Sequence, residues 1–268
     1  MTTQDDRNTT MTRVLVPLAI LEGESVSAGL TTLLEPMNVT VLGYHVLPEQ
    51  TPPDQARLQY GDRATDALAD IATEFGSADV PAEYRLVFTH NRKRTIDRVA
   101  TETAADAYAI RGATGPVERL LVALTGDVAV DRICAFVSAL VAGREIDVTL
   151  FLATDHEPTG RELLDRAAAA ISDHAVAVRT ELAVDEPPFD ALLDAAIDHD
   201  AIVMGERAPS LRSIVFGDDA ERVAAGSVGP VLVVRTDAED AKSTADRSAQ
   251  TAAADVESAG DRDAPDDQ

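Results

Sequence analysis

The sequence predicts an α/β fold: two doubly wound parallel-sheet domains in tandem, the first lacking its last helix and strand. Three observations carry this. Short apolar, β-branched segments alternate with longer amphipathic ones, the pattern of βαβ units whose strands are buried on both faces. The segments recur: residues 120–124 (LLVAL) repeat 14–18 (VLVPL), 148–155 (VTLFLATD) repeat 39–46 (VTVLGYHV), and 200–204 (DAIVM) repeat 106–110 (DAYAI). Right-handed crossovers between parallel strands then place helices on both faces.

In chain order, the strand at 14–18 is followed by a loop, an amphipathic helix and the strand at 39–46. A helix near 54–75 and a strand near 83–89 come next. An Ala-rich, Asp-bearing helix then leads into the strand at 106–110. The second half opens with the strand at 120–124. Its first helix carries apolar residues Val130, Ile133, Cys134, Val137 and Val141 on one face. The strand at 148–155, a helix near 159–173 and a strand near 176–184 follow. The apolar strand at 201–204 ends in Gly205, a loop runs to Gly217, a helix spans about 218–228, and 231–235 is a fifth strand. The first half reaches its fourth strand at Ile110 and then has only RGATGPVER before the second begins. That segment cannot hold a further helix and strand. An uncovered fourth strand would invite aggregation, so residues 111–119 or the other domain are expected to cover it. The domains are therefore 12–117 and 118–236, between a disordered N-terminus (1–11) and a disordered tail (237–268).

Composition narrows the function. The chain has 268 residues and a formal net charge of −24, with 21 arginines against two lysines, Lys93 and Lys242. Acidic residues are spread over the whole chain, which reads as adaptation to molar salt, where the Debye length falls to about 3 Å and self-repulsion is screened. The same charge opposes nucleic-acid binding, which needs a cationic face. No apolar run approaches the roughly 18 residues of a membrane span. The N-terminus has no apolar segment of the secretory type, so the expected location is cytoplasmic. Cys134 is the only cysteine; at an apolar helix position it reads as a small buried hydrophobe. From Thr236 on, ten acids, three bases and almost no large apolar residues cannot support a core.

The stretch 201–235, AIVMGERAPSLRSIVFGDDAERVAAGSVGPVLVVR, is the most informative. A glycine loop between a buried strand and a helix N-terminus is a common phosphate cradle. With the VPL-type first strand, the second strand ending in His45-Val46 and the closing VGPVLVVR, the chain resembles the universal stress protein family in a tandem two-domain form, over residues 12–235. The resemblance implies a Rossmann-like sheet of order 3-2-1-4-5, with ATP or AMP held where strands 1 and 4 part. It also implies antiparallel pairing of fifth strands, hence a homodimer through 231–235. The nucleotide site would comprise Thr125, Gly126, Met204, Gly205, Arg207 and Gly217. Around these residues the chain departs from the family's pattern. Ala208 replaces the loop's second glycine, and Asp218 its terminal hydroxyl. The nucleoside-reading aspartate after strand 1 is Ala19 in one half and Thr125 in the other. As an N-cap, Asp218 would take up the amide donors a phosphate needs and add a like charge beside it.

Outside this loop, His90-Asn91-Arg92-Lys93-Arg94 is the one concentrated basic cluster: an anion site, or a solvated helix start. The five histidines show no metal-ligand spacing, and no nucleophile elbow is present. The expectation is a non-catalytic regulator of stress adaptation that senses a nucleotide or small anionic effector through a degenerate site. The alternative is a ligand-free interaction module acting on a partner; the resemblance points to amino-acid or cation transporters.

Overall fold

The computed structural model describes residues 12–76, 82–110, 112, 114–126, 128–171, 177–208 and 229–236. The first half comprises β1 (Arg13–Ala19), α1 (Ala28–Leu33), β2 (Asn38–Val46), α2 (Pro53–Phe75), β3 (Glu83–Thr89), α3 (Arg92–Glu102) and β4 (Ala107–Ile110). The second comprises β5 (Arg119–Ala123), α4 (Val130–Val141), β6 (Asp147–Thr154), α5 (Glu157–Ile171), β7 (Val178–Val184), α6 (Pro188–Ala196), β8 (Ala201–Gly205) and β9 (Val231–Val234). The helix expected at 218–228, Gly217 and the tail from residue 237 lie outside the described residues.

The described strands join in one sheet of order β3-β2-β1-β4-β9-β8-β5-β6-β7. Within each half every pairing is parallel. The halves meet at one antiparallel pair, β4 with β9, from Ala107↔Val234 to Ile110↔Val231. Instead of two separate sheets, the tandem halves share one, and the chain through Arg235 is one compact unit. The edge of β4 is covered by the other half, as its exposure required. This corrects the expectation of a homodimer through 231–235. β9 is hydrogen-bonded to β8 on one side and β4 on the other, so it has no edge left for a second chain.

Crossovers β1→β2→β3 put α1 and α2 on one face, and the return to β4 puts α3 on the other. The second half repeats this with α4 and α5 against α6. One apolar cluster accordingly joins Leu30, Leu68, Ile133 and Leu164 across both halves; the opposite cluster joins Ile96, Val99, Leu192 and Ala195. Because β4 and β9 are antiparallel, the carboxyl ends of the two half-sheets lie at opposite edges of the molecule. Each edge therefore has its own crevice, between β1 and β4 or between β5 and β8.

Hydrophobic burial dominates the seam. Val231, Leu232, Val233 and Val234 are all at most 3% exposed, worth about 1.5–3 kcal/mol apiece. Polar bonds fix the register. The Arg235 amide donates to Asp106 O (2.8 Å), and its guanidinium to Ala105 O (3.2 Å) and Thr101 Oγ1 (2.9 Å). Arg144, after α4, donates to Leu33 O (2.9 Å) and Thr32 O (2.7 Å) at the carboxyl end of α1, where a cation suits the helix dipole.

Candidate functional site

The second-half crevice brings together most of the residues singled out in the sequence. β5 and β8 run side by side with Ala123 opposite Met204, so Thr125 and Gly126 emerge next to Gly205. Their chemistry is already committed. Thr125 is buried, and its Oγ1 accepts from the Ala153 amide (2.8 Å), tying β5 to β6. Gly126 has φ 90°, a left-handed turn that glycine adopts at no steric cost. This turn brings Val128 back over β8. A Cβ on Gly205 would lie 2.7 Å from Val128 Cγ1 and 2.9 Å from its Cβ. The space beside Gly205 is thus taken by the protein's own valine. Met204 is fully buried and Arg207 is exposed, while Gly217 falls outside the described residues.

The first-half crevice is open but wrong in charge. After β1, a single helical turn (Ile20–Glu22) ends at Gly23, φ 74°. The chain then returns so that the Glu24 carboxylate accepts the Ala19 amide. A cavity of about 510 Å³ is lined by Glu22, Gly23, Glu24, Ser25, Val26, Ser27 and Gly112. At the start of α1, Ser27 Oγ accepts from the Leu30 amide (3.3 Å) and Ser27 O from that of Thr31 (3.1 Å). The inter-half segment presses against this helix start, with Gly115 O only 1.8 Å from where a Gly29 Cβ would stand. An anion here would face two carboxylates and a carbonyl, at a cost of about 1–4 kcal/mol per close charge.

The described parts of the two crevices differ in what they offer a ligand. In one, Val128 takes the room beside Gly205; in the other, Glu22 and Glu24 line the cavity. The basic cluster also has structural roles. Asn91 Oδ1 caps α3 by accepting from the Arg94 amide (2.9 Å), and His90 Nε2 lies 3.1 Å from Thr51 O. Arg92 stacks over the Tyr44 ring at 5.5 Å, and Lys93 pairs with Asp97 (3.4 Å). Burial pushes the Tyr44 phenol above its ordinary range, partly offset by Arg92. His45 packs edge-on against Tyr60 and Phe88. Cys134 is buried, and burial, with Asp131 adding to it, raises its thiol pKa to about 11, which keeps it protonated and inert at neutral pH. No group of three His, Cys, Asp or Glu placed to hold a metal occurs among the described residues. None of their helices is long and apolar enough to cross a membrane.

This topology has a counterpart among solved structures. A universal stress protein from Archaeoglobus fulgidus DSM 4304 matches with TM-score 0.56 and 16% identity, over 85% of this chain and 97% of that one. The fold is that of a universal stress protein. At such identity the likeness concerns the backbone alone. No family model and no curated protein matches the sequence.

Spacing had pointed to Thr125, Gly126 and Gly205, which do cluster. It had not pointed to Val128, whose role depends on the Gly126 turn. It had also not shown that Asp106 and Asp200, aligned by the internal repeat, do the same work. Asp106 Oδ2 accepts from the Arg13 amide (2.9 Å). Asp200 Oδ2 accepts from those of Glu118 (3.0 Å) and Arg119 (2.8 Å). Each carboxylate anchors the first strand of its half to the fourth.

Proposed function

We propose that the chain is a non-catalytic, cytoplasmic universal-stress-type protein that has exchanged nucleotide binding for a role as a regulatory interaction module. The observation that carries this reading is Val128 seated against Gly205, because it occupies the crevice where the family resemblance would put a nucleotide. Thr125, in place of an aspartate, spends its hydroxyl on the backbone, which supports the same reading. The fused halves supply a two-fold-like body without a second chain, so the surfaces free for a partner are its outer helices and sheet edges. The partner class is a transporter or a regulatory protein, and the acidic, lysine-poor composition suits work at high salt.

Calorimetric titration of the folded chain with ATP and with AMP, in roughly molar KCl where surface repulsion is screened, tests this. The expected result is no saturable heat. Saturable binding of either nucleotide would overturn the interaction-module reading in favour of a sensor.

A further inference from the structure

Among the described residues the sheet has two outer edges, β3 and β7, and we infer that β7 is a self-complementary edge that pairs antiparallel with the β7 of a second copy, centred on Thr180. The backbone determines which groups are on offer. The Val148 amide donates to Ala177 O (2.9 Å), and β6 and β7 are in parallel register from Val148↔Val178. In a parallel ladder alternate residues turn both backbone groups to the same neighbour. Ala177, Arg179, Glu181 and Ala183 therefore face β6, and Val178, Thr180 and Leu182 present their N–H and C=O groups at the open edge.

An antiparallel partner centred on Thr180 meets this pattern in full. Thr180 opposes Thr180 of the other copy as a hydrogen-bonded pair, and Val178 opposes Leu182 on either side. Arg179 then falls opposite Glu181 twice. These are non-hydrogen-bonded positions, where opposing Cα atoms lie closest, about 4.5 Å apart. The register is dictated by charge. Centring on Arg179 sets arginine against arginine, and centring on Glu181 sets glutamate against glutamate; only Thr180 gives two opposite-charge pairs. Arg179, Thr180 and Glu181 are exposed, and Arg179 keeps 69% of its side chain accessible while reaching Asp147 at 3.3 Å. Val178 and Leu182 pack into the core cluster, so the charged pair lies on the other face of the strand, clear of α5. The β3 edge is less suited. Its one balanced register pairs Glu83 with Arg85, but that guanidinium is held by two carboxylates of its own chain, Glu83 (3.4 Å) and Glu102 (3.1 Å), and its side chain is 37% exposed, against one carboxylate and 69% for Arg179. The occupant of the β7 edge is thus a second copy of this chain, giving one sheet continuous across the dimer.

The test is light scattering of the full chain over a concentration series, in dilute buffer and in roughly molar KCl. A dimer is expected for the native chain. Glu181→Arg turns both pairs into arginine–arginine contacts and should weaken dimerisation by about tenfold or more. The double exchange Arg179→Glu/Glu181→Arg restores opposite charges and should recover the native dimer, which a general loss of folding would not. Thr180→Pro removes a central donor and should leave a monomer. A native chain that stays monomeric at the highest concentrations in both salts overturns the inference. A dimer that is indifferent to Glu181→Arg and Thr180→Pro, or one not recovered by the double exchange, overturns it equally.

Discussion

The two halves are built by the same rule and finished differently. Asp106 and Asp200 occupy equivalent places, each ahead of a fourth strand, and each binds the backbone at the start of a first strand. The crevices at the other ends of those strands share nothing comparable: one is packed with Val128 and the other opens onto Glu22 and Glu24. Strand anchoring is needed by any copy of the fold. The crevice chemistry is needed only by a copy that binds something. The two halves thus share what holds the sheet and differ in what lines the crevices.

The comparison breaks most sharply at β9, the strand both halves use. Val233 is fully buried between β8 and β4. Val233→Asp places a carboxylate where it has no partner, and should cost about 4 kcal/mol or more. Because β4 relies on β9 for its edge, loss of structure should extend to the first half. Circular dichroism during urea unfolding would show this as one transition at much lower midpoint. Two transitions, one at the native midpoint, would mean that the halves fold independently despite sharing a sheet.

The entry to β9 also rests on close backbone approach to β8. A Cβ on Gly229 would stand 1.8 Å from Asp200 O, whereas one on Gly23, at φ 74°, meets nothing within 4 Å. Gly229→Ala must push the chain off β8 and should cost about 3 kcal/mol. Gly23→Ala pays only for the left-handed conformation, about 1 kcal/mol. Equal shifts in urea midpoint for the two would show that the β8–β9 approach relaxes freely.

How far the sequence reveals this depends on range. β3 falls at residues 83–89 as its local pattern predicts, and α2 and β6 come within a residue or so, because periodicity is a short-range property. The missing strand of the first half was legible as an absence, and so was the need to cover β4. That β9 does the covering, and in the antiparallel sense, was not, since it depends on how two separately patterned halves meet in space. The crevice divides in the same way. Ala19 and Thr125 could be compared with an expected aspartate from spacing alone. The Val128 plug and the Thr125–Ala153 bond depend on the direction a turn takes at Gly126.

The two anchors differ by a countable amount. Asp200 accepts two amide hydrogen bonds and Asp106 one, while each has an arginine nearby, Arg119 at 3.8 Å and Arg132 at 3.7 Å. Asp200→Ala strands two donors and should cost about 2 kcal/mol, against about 1 kcal/mol for Asp106→Ala, whose ion pair is largely solvent-screened. Chemical denaturation of both variants would measure the gap. The reverse order would make the Arg132 pair, and with it the seam, the stronger reason for keeping Asp106.

The smallest effect tests whether the second-half crevice is closed by packing alone or by chemistry as well. Val128→Ala removes two methyl groups from a partly exposed position and should cost about 1 kcal/mol. It also reopens the space beside Gly205, making that crevice sterically more like one that admits a ligand. If chemistry has drifted too, room is not enough. Thr125 Oγ1 still accepts from Ala153, and no carboxylate stands at that position to read a nucleoside. The expected outcome is a folded variant that gives no saturable heat with ATP or AMP. Heat that saturates in Val128→Ala and is absent in the native chain would reduce the difference between this crevice and a working one to a single side chain.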